Sequence, residues 1–232
     1  MKIKNKLAVF LTALLVSFSS SAIAFEGFSI GAVYSSIDYS TSGSERVNGL
    51  DGADAAATIT TTTKSGSDDI GALFVEYTFS QGTTIGIEAI SGEAEIGKAT
   101  SAARSSVISS HSSATVTAKA TAKDPMTVYV EPTWMANDKF GIYLKGGLTS
   151  VTISPSETDA SGVTTSTYKD KDLYGRMTGI GAKYYVGNFF VKAEYVETDF
   201  DTYAHVSTTG EGNTITADID TEETKFAIGY NF

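Results

Sequence analysis

The stretch Thr221–Phe232, TEETKFAIGYNF, decides how the rest of this chain is read. In an extended backbone, successive side chains point to opposite faces. Phe226, Ile228, Tyr230 and Phe232 then share one face, and Lys225, Ala227, Gly229 and Asn231 share the other. The apolar face runs to the final aromatic residue, which a water-exposed surface gives no reason to keep.

Seven other stretches of about ten residues repeat the pattern, the length a tilted strand needs to cross a bilayer. They lie at about 27–39, 69–79, 83–95, 125–135, 139–153, 173–185 and 189–202. Phe28, Ile30, Ala32 and Tyr34 share a face in the first; Met126, Val128, Val130 and Trp134 do so in the fourth. In the seventh, Phe189, Val191, Ala193 and Tyr195 alternate with Lys192 and Glu194. Pro132 cannot donate to a strand ladder, so a bulge or an early strand end is expected there.

The connections alternate in length. Three turns of three residues, Ser80-Gln81-Gly82, Ala136-Asn137-Asp138 and Val186-Gly187-Asn188, separate four long loops at about 40–68, 97–123, 154–172 and 203–220. The loops are rich in Ser, Thr, Ala, Gly and Asp and cannot bury a core, so they face solvent. Pieces such as Ala114–Ala118 and Thr214–Ala217 still alternate with β-branched residues. Strands are therefore predicted to continue beyond the membrane as a protruding sheet.

Short turns at one end, long loops at the other and outward apolar faces define the fold class: all-β, an eight-stranded antiparallel up-and-down transmembrane β-barrel. An unpaired strand edge is not tolerated in lipid, so the last strand must pair with the first, Gly27 to Tyr39. An even strand count puts both termini in the periplasm.

Residues 1–24 carry Lys2, Lys4 and Lys6, an apolar run from Leu7 to Phe18, and the small-residue site Ala22-Ile23-Ala24. They read as a cleaved signal peptide, with the barrel occupying 25–232 and no second domain expected. Cleavage removes three of 17 basic residues and none of 27 acidic ones, leaving a net charge of −13. That balance excludes a nucleic-acid partner. The absence of cysteine excludes disulfides, thiolate metal sites and cysteine nucleophiles.

Alternation assigns Glu76, Glu88, Glu131 and Glu194 to the inner face together with Lys145, Lys183, Lys192 and Lys225. Removing charges from water costs several kcal/mol each unless they pair. A salt-bridge network closing the lumen is the economical arrangement, and a narrow path gated by those pairs is the functional alternative. Wide porins need 16 or more strands.

An enzyme reading would need a base such as His beside a nucleophile and an orienting acid. His111 and His205 fall in different external loops, so no catalytic or metal site is assigned, and no cofactor motif is present. Lys98 to Lys123 holds four Lys and Arg residues and no acid, whereas Glu197 to Glu223 holds eight acids and no Lys or Arg. Acidic loop residues could hold divalent cations, and Lys98, Arg104 and Arg176 could meet outer-leaflet phosphates, including those of lipopolysaccharide. Arg176 shares the lipid face with Ile180 and Tyr184, at the height of the outer interface.

In strand count, loop asymmetry and closing strand, the chain resembles the small eight-stranded outer-membrane barrels of the OmpX and Ail type and the transmembrane barrel of OmpA. Lys225, Ala227, Tyr230 and Phe232 fill the places of that family's C-terminal assembly signal, with Ala227 where Gly is usual. The resemblance implies a monomer in the outer membrane, inserted by the barrel assembly machinery. Its loops would contact host, cell-surface or phage ligands, a structural and adhesion-like role. The alternatives are a narrow porin-like channel for small or hydrophobic solutes, of the OmpW kind, and an outer-membrane lipid-modifying enzyme.

Overall fold

The computed structural model describes residues 26–47, 58–90, 92–102, 115–159, 164–167, 169–206 and 214–232. The stretch 1–24, expected to be a signal peptide, Arg104 and His111 lie outside them. The strands are β1 (Gly27–Val47), β2 (Thr58–Thr78), β3 (Thr83–Ile90), β4 (Glu93–Ala102), β5 (Thr115–Met135) and β6 (Phe140–Asp159). They continue with β7 (Thr164–Thr167), β8 (Lys171–Val186), β9 (Phe189–Phe200), β10 (Tyr203–Val206) and β11 (Thr214–Asn231).

Eight of these strands close a ring of antiparallel ladders in the order β1, β2, β3, β5, β6, β8, β9, β11. The ladder between β1 and β11 runs from Ser29↔Asn231 to Arg46↔Thr214 and leaves no open edge in the lipid zone. β9 shows why the sequence folds this way. Its side chains alternate between exposed and buried along the strand, so Val191 and Tyr195 point out while Lys192 and Glu194 point in. Phe28, Leu73, Leu148, Ile180 and Phe226 are all more than half exposed. A surface this apolar is stable only against lipid.

Aromatic rings mark the short-turn end. Phe28 meets Tyr77 edge-on at 4.9 Å, and Phe189, Tyr230 and Phe232 form a similar series at 5.0 and 5.2 Å. Inside the ring, an aromatic residue repeatedly stands opposite a glycine on the next strand. Tyr129 covers Gly86 and Tyr143 covers Gly181; Phe74 covers Gly31 and Phe190 covers Gly229. A methyl group at any of these glycines would overlap the ring, so glycine makes the floor on which each aromatic lies.

The expected turns fall where the sequence places them, but the expected loops are largely strand. β1 continues to Val47 and β2 begins at Thr58, so the described parts of 40–68 form a paired ladder. The expected continuation of strands as a protruding sheet is present, with Thr214–Ala217 in β11 and 115–118 in β5. Backbone pairing needs no apolar period, which is why the Ser- and Thr-rich segments of β1 and β2 gave no such sign. The expected strand 83–95 is divided, because β3 ends at Ile90 and β4 begins at Glu93.

Pro132 produces no bulge. It faces Thr83 at the start of β3, and the ladder of β5 with β6 keeps its register from Val130↔Gly146 to Thr133↔Tyr143. β5 continues past it to Met135. The register shift occurs instead between Lys123 and Met126, around the other proline of this strand, Pro125. Asp124 has φ +46° there, and its amide donates to the carbonyl of Gly92 at 3.2 Å. Gly92 itself has φ +149°, open to glycine and strained for other residues.

Above the lipid zone the ring divides. The β2–β3 ladder ends at Ala72↔Ile90, and β4 then pairs with β5 rather than with β2. The β8–β9 ladder ends at Gly175↔Phe200, and β10 pairs with β11. The end of the barrel with the long connections, expected to be extracellular, is therefore two sheets, one of β10, β11, β1 and β2, the other of β4, β5 and β6 with β7 and β8 at its edge.

Candidate functional site: the charged lumen

Every inward charge singled out in the sequence lies in one buried network. Lys192 Nζ stands 2.6 Å from Glu76 Oε2 and 2.9 Å from Glu131 Oε2, and Lys183 reaches Glu76 at 3.1 Å. Lys145 bonds Glu194 at 2.8 Å and lies 3.4 Å from Glu131 and 3.7 Å from Glu88. Lys225 bonds Glu88 at 2.6 Å. β2, β3, β5, β6, β8, β9 and β11 each contribute, so the network crosses the lumen rather than following one wall. All eight residues are at most 6% exposed.

Neutral donors complete the carboxylates. Tyr143 donates its hydroxyl hydrogen to Glu194 at 2.7 Å and Tyr129 to Glu76 at 3.1 Å. The ammonium of Lys145 also sits 4.1 Å above the Tyr129 ring, where the aromatic quadrupole attracts it. Charges buried this deeply are tolerable only when nearly every lone pair and proton is engaged.

Apolar clusters accompany the charges. Alongside them Phe74, Tyr185 and Phe190 pack with Val33, Ala72 and Ala227. Further out, Tyr129, Met177 and Val196 form a small cluster, followed by Val151, Ile153, Leu173, Tyr203 and Ile219 between the two extracellular sheets.

The sequence reading missed Glu223, which lies 3.0 Å from Lys225 and accepts the Ser35 hydroxyl at 2.9 Å. It shares its face with Lys225 two residues on, so alternation could have found it. With it, the network holds five carboxylates and four ammonium groups.

The remaining named residues lie outside the lumen network. Ala227 is on the inner face beside Lys225, whereas Tyr230 and Phe232 face outward at the short-turn end. The Phe232 amide donates to the carbonyl of Phe28 at 2.9 Å. Arg176 is exposed on the outer face, between Leu148 and Asp199 on the flanking strands. His205 lies on β10, its ring stacked on Tyr203 at 6.2 Å.

The outer face just above the lipid zone is acidic. Asp38, Glu222 and Glu197 are consecutive cross-strand neighbours, and Asp220 stands opposite Asp199. Partial burial, then Asp199 and Asp218, push the Asp220 carboxyl above its ordinary range. Burial and then Asp170 push the Tyr203 phenol up.

A closed antiparallel ring with an apolar exterior, a charged interior and an aromatic end defines a transmembrane β-barrel of the outer membrane. The model of the outer membrane protein beta-barrel domain matches residues 8–232, and the chain belongs to that family. The solved structures similar to it include Ail, the attachment invasion locus protein of Yersinia pestis. That likeness has 12% identity, covers 84% of this chain and 98% of that one, and has a TM-score of 0.32. Another is outer membrane protein OprG from Pseudomonas aeruginosa, at 14% identity, covering 89% and 97%, with a TM-score of 0.47. A third is the outer membrane protease OmpT from Escherichia coli, at 9% identity, covering 93% and 100%, also with a TM-score of 0.47. No curated protein matches the chain.

Proposed function

We propose that this outer-membrane barrel is a non-enzymatic surface-interaction protein, its lumen closed by the salt-bridge network and its contacts made by the extracellular sheets. The observation that carries this reading is the burial of Glu131, Lys145 and Lys183 at no more than 1% exposure in the middle of the wall-to-wall network. Closing the lumen in this way serves a protein that acts through its outside. Host, cell-surface or phage ligands would meet the sheets, lipopolysaccharide phosphates would meet Arg176, and the protein would act as a monomer. Insertion by the barrel assembly machinery would use Lys225, Ala227, Tyr230 and Phe232.

The test is conductance of the reconstituted protein in planar bilayers. The closed reading expects a silent bilayer. Stable single-channel openings that disappear on Glu131→Gln or Lys145→Met would overturn it. Binding to cells should be lost on deleting the segment 97–123 while the barrel still folds.

A second reading, passage of a hydrophobic solute, is favoured by the apolar layer of Val151, Ile153, Leu173 and Ile219 at the outer end. Uptake of an alkane by cells carrying the protein, against cells lacking it, separates the two readings.

A further inference from the structure

The two extracellular sheets meet along two seams with no strand pairing among the described residues, and each seam is crossed by a side chain that bonds to backbone. At the first, Tyr39 of β1 reaches across β2 and donates its hydroxyl hydrogen to the carbonyl of Glu95 on β4 at 3.3 Å. Its ring passes over Gly66, its cross-strand neighbour, where a methyl group would collide with the Tyr39 hydroxyl. At the second, Lys171 of β8 donates to the carbonyl of Ala204 on β10 at 2.8 Å, and its ammonium lies 5.4 Å from the Tyr203 ring.

We propose that the sheets are two jaws, held shut by Tyr39 and Lys171 as latches, that part at the membrane surface to expose the apolar layer between them. The backbone supplies the hinges. Gly92 and Asp124, both at positive φ and joined by a hydrogen bond, sit where β4 and β5 leave the ring. On the other side, Asp201 and Thr202 break the line from β9 to β10, just beyond the last β8–β9 pair, Gly175↔Phe200.

Three observations favour a modest opening cost. Each latch is a single side-chain-to-backbone bond at a solvent-exposed position, where water can replace it, whereas unzipping a ladder would break many bonds at once. The apolar layer is shared between the jaws, with Val151, Ile153 and Leu173 on one and Tyr203 and Ile219 on the other. Finally, the Tyr203 hydroxyl is buried with no hydrogen-bond partner among the described residues, a cost borne only by the closed form.

Below the hinges the ring is continuous, so opening leaves the charged lumen intact. The motion is local, drawn from the low-stability end of the structure. It is independent of whether the lumen conducts.

The chain has no cysteine, so a single introduced thiol reports on one place. Val151→Cys places it in the layer between the jaws, and Val196→Cys places it lower, in the cluster with Tyr129 and Met177. In the full barrel refolded in detergent micelles, the rate of modification by fluorescein maleimide is measured for each. Adding Tyr39→Phe and Lys171→Met should speed Val151→Cys labelling roughly tenfold. Gly66→Ala, which displaces Tyr39 without removing it, should act in the same direction. Val196→Cys labelling should not change.

A Val151→Cys rate indifferent to the latches would overturn the proposal, as would acceleration at both sites, which means loosening of the whole barrel. If Val151→Cys fails to give the heat-modifiable mobility of a folded barrel, Ile219→Cys reports from the opposite jaw.

Discussion

Lys192 Nζ and Glu76 Oε2 lie 2.6 Å apart, although 116 residues separate them in the chain. The ammonium comes from β9 and the carboxylate from β2, so the bond ties opposite sides of the wall. Replacing Lys192 with Met removes the nearest ammonium of both Glu76 and Glu131 and leaves them the longer contacts of Lys183 and Lys145. The expected loss is about 3–5 kcal/mol, the cost of breaking a buried ion pair by removing one partner. Urea unfolding of the barrel in lipid vesicles, followed by tryptophan fluorescence, measures it; a loss under about 1 kcal/mol would mean that water reaches the network.

The glycine floors give a test of packing rather than charge. Gly181→Ala puts a methyl group into the Tyr143 ring and should destabilise by roughly 1–3 kcal/mol. Gly181→Ala combined with Tyr143→Ala should recover part of the overlap cost, although Glu194 then loses its hydroxyl donor. A double-mutant cycle on the same unfolding assay separates the two terms.

Asp220 gives a pH dependence of known sign. Its carboxyl titrates above the ordinary value of 3.8 in the folded protein, so the fold binds the proton more readily than the unfolded chain does. The resulting penalty is absent below 3.8 and fully present once the pH exceeds the raised folded value. Asp220→Asn should therefore raise the unfolding midpoint at pH 7 and leave it unchanged at pH 3. The comparison of midpoints at those two values is the measurement, and an equal shift at both would remove the assignment.

Phe232 joins the aromatic end and donates its amide to Phe28 across the closing seam. Deleting Phe232 should reduce the heat-modifiable, folded fraction recovered from the outer membrane. Deleting a residue of comparable size from the segment 154–172 should not. Equal recovery of both would remove Phe232 from the assembly signal.

Alternation made the lipid-zone half of the fold legible. From Val191 to Tyr195 of β9 and from Lys225 to Asn231 of β11, outward apolar side chains alternate with inward polar or small ones, so face, pairing partner and lumen charges could all be read. The long-loop half was legible only in part. Thr214–Ala217, expected to prolong a strand, lies in β11, whereas Thr58–Ser67 of β2 and Thr41–Ser44 of β1 are sequences of Ser, Thr and Gly with almost no apolar residue, so their pairing leaves no period. The apolar layer was hidden as well, because Leu173, Tyr203 and Ile219 come from segments each too sparse to signal a core. Glu223 was legible and overlooked. Pro132 misled because a proline at the start of a neighbour's ladder removes little, whereas Pro125 falls where β5 leaves the ring.

The closing ladder between β1 and β11 also governs how the ring can be made. Asn231 donates to the Ser29 hydroxyl across 202 residues of intervening chain, so this ladder has a very high contact order. Hairpins such as β8–β9 can form as soon as their two strands exist. β1, by contrast, must wait with one edge unpaired until the last strand has been delivered. Ring closure is thus the slow, final step, and the interval before it is when the chain most needs an edge to be shielded by something other than itself.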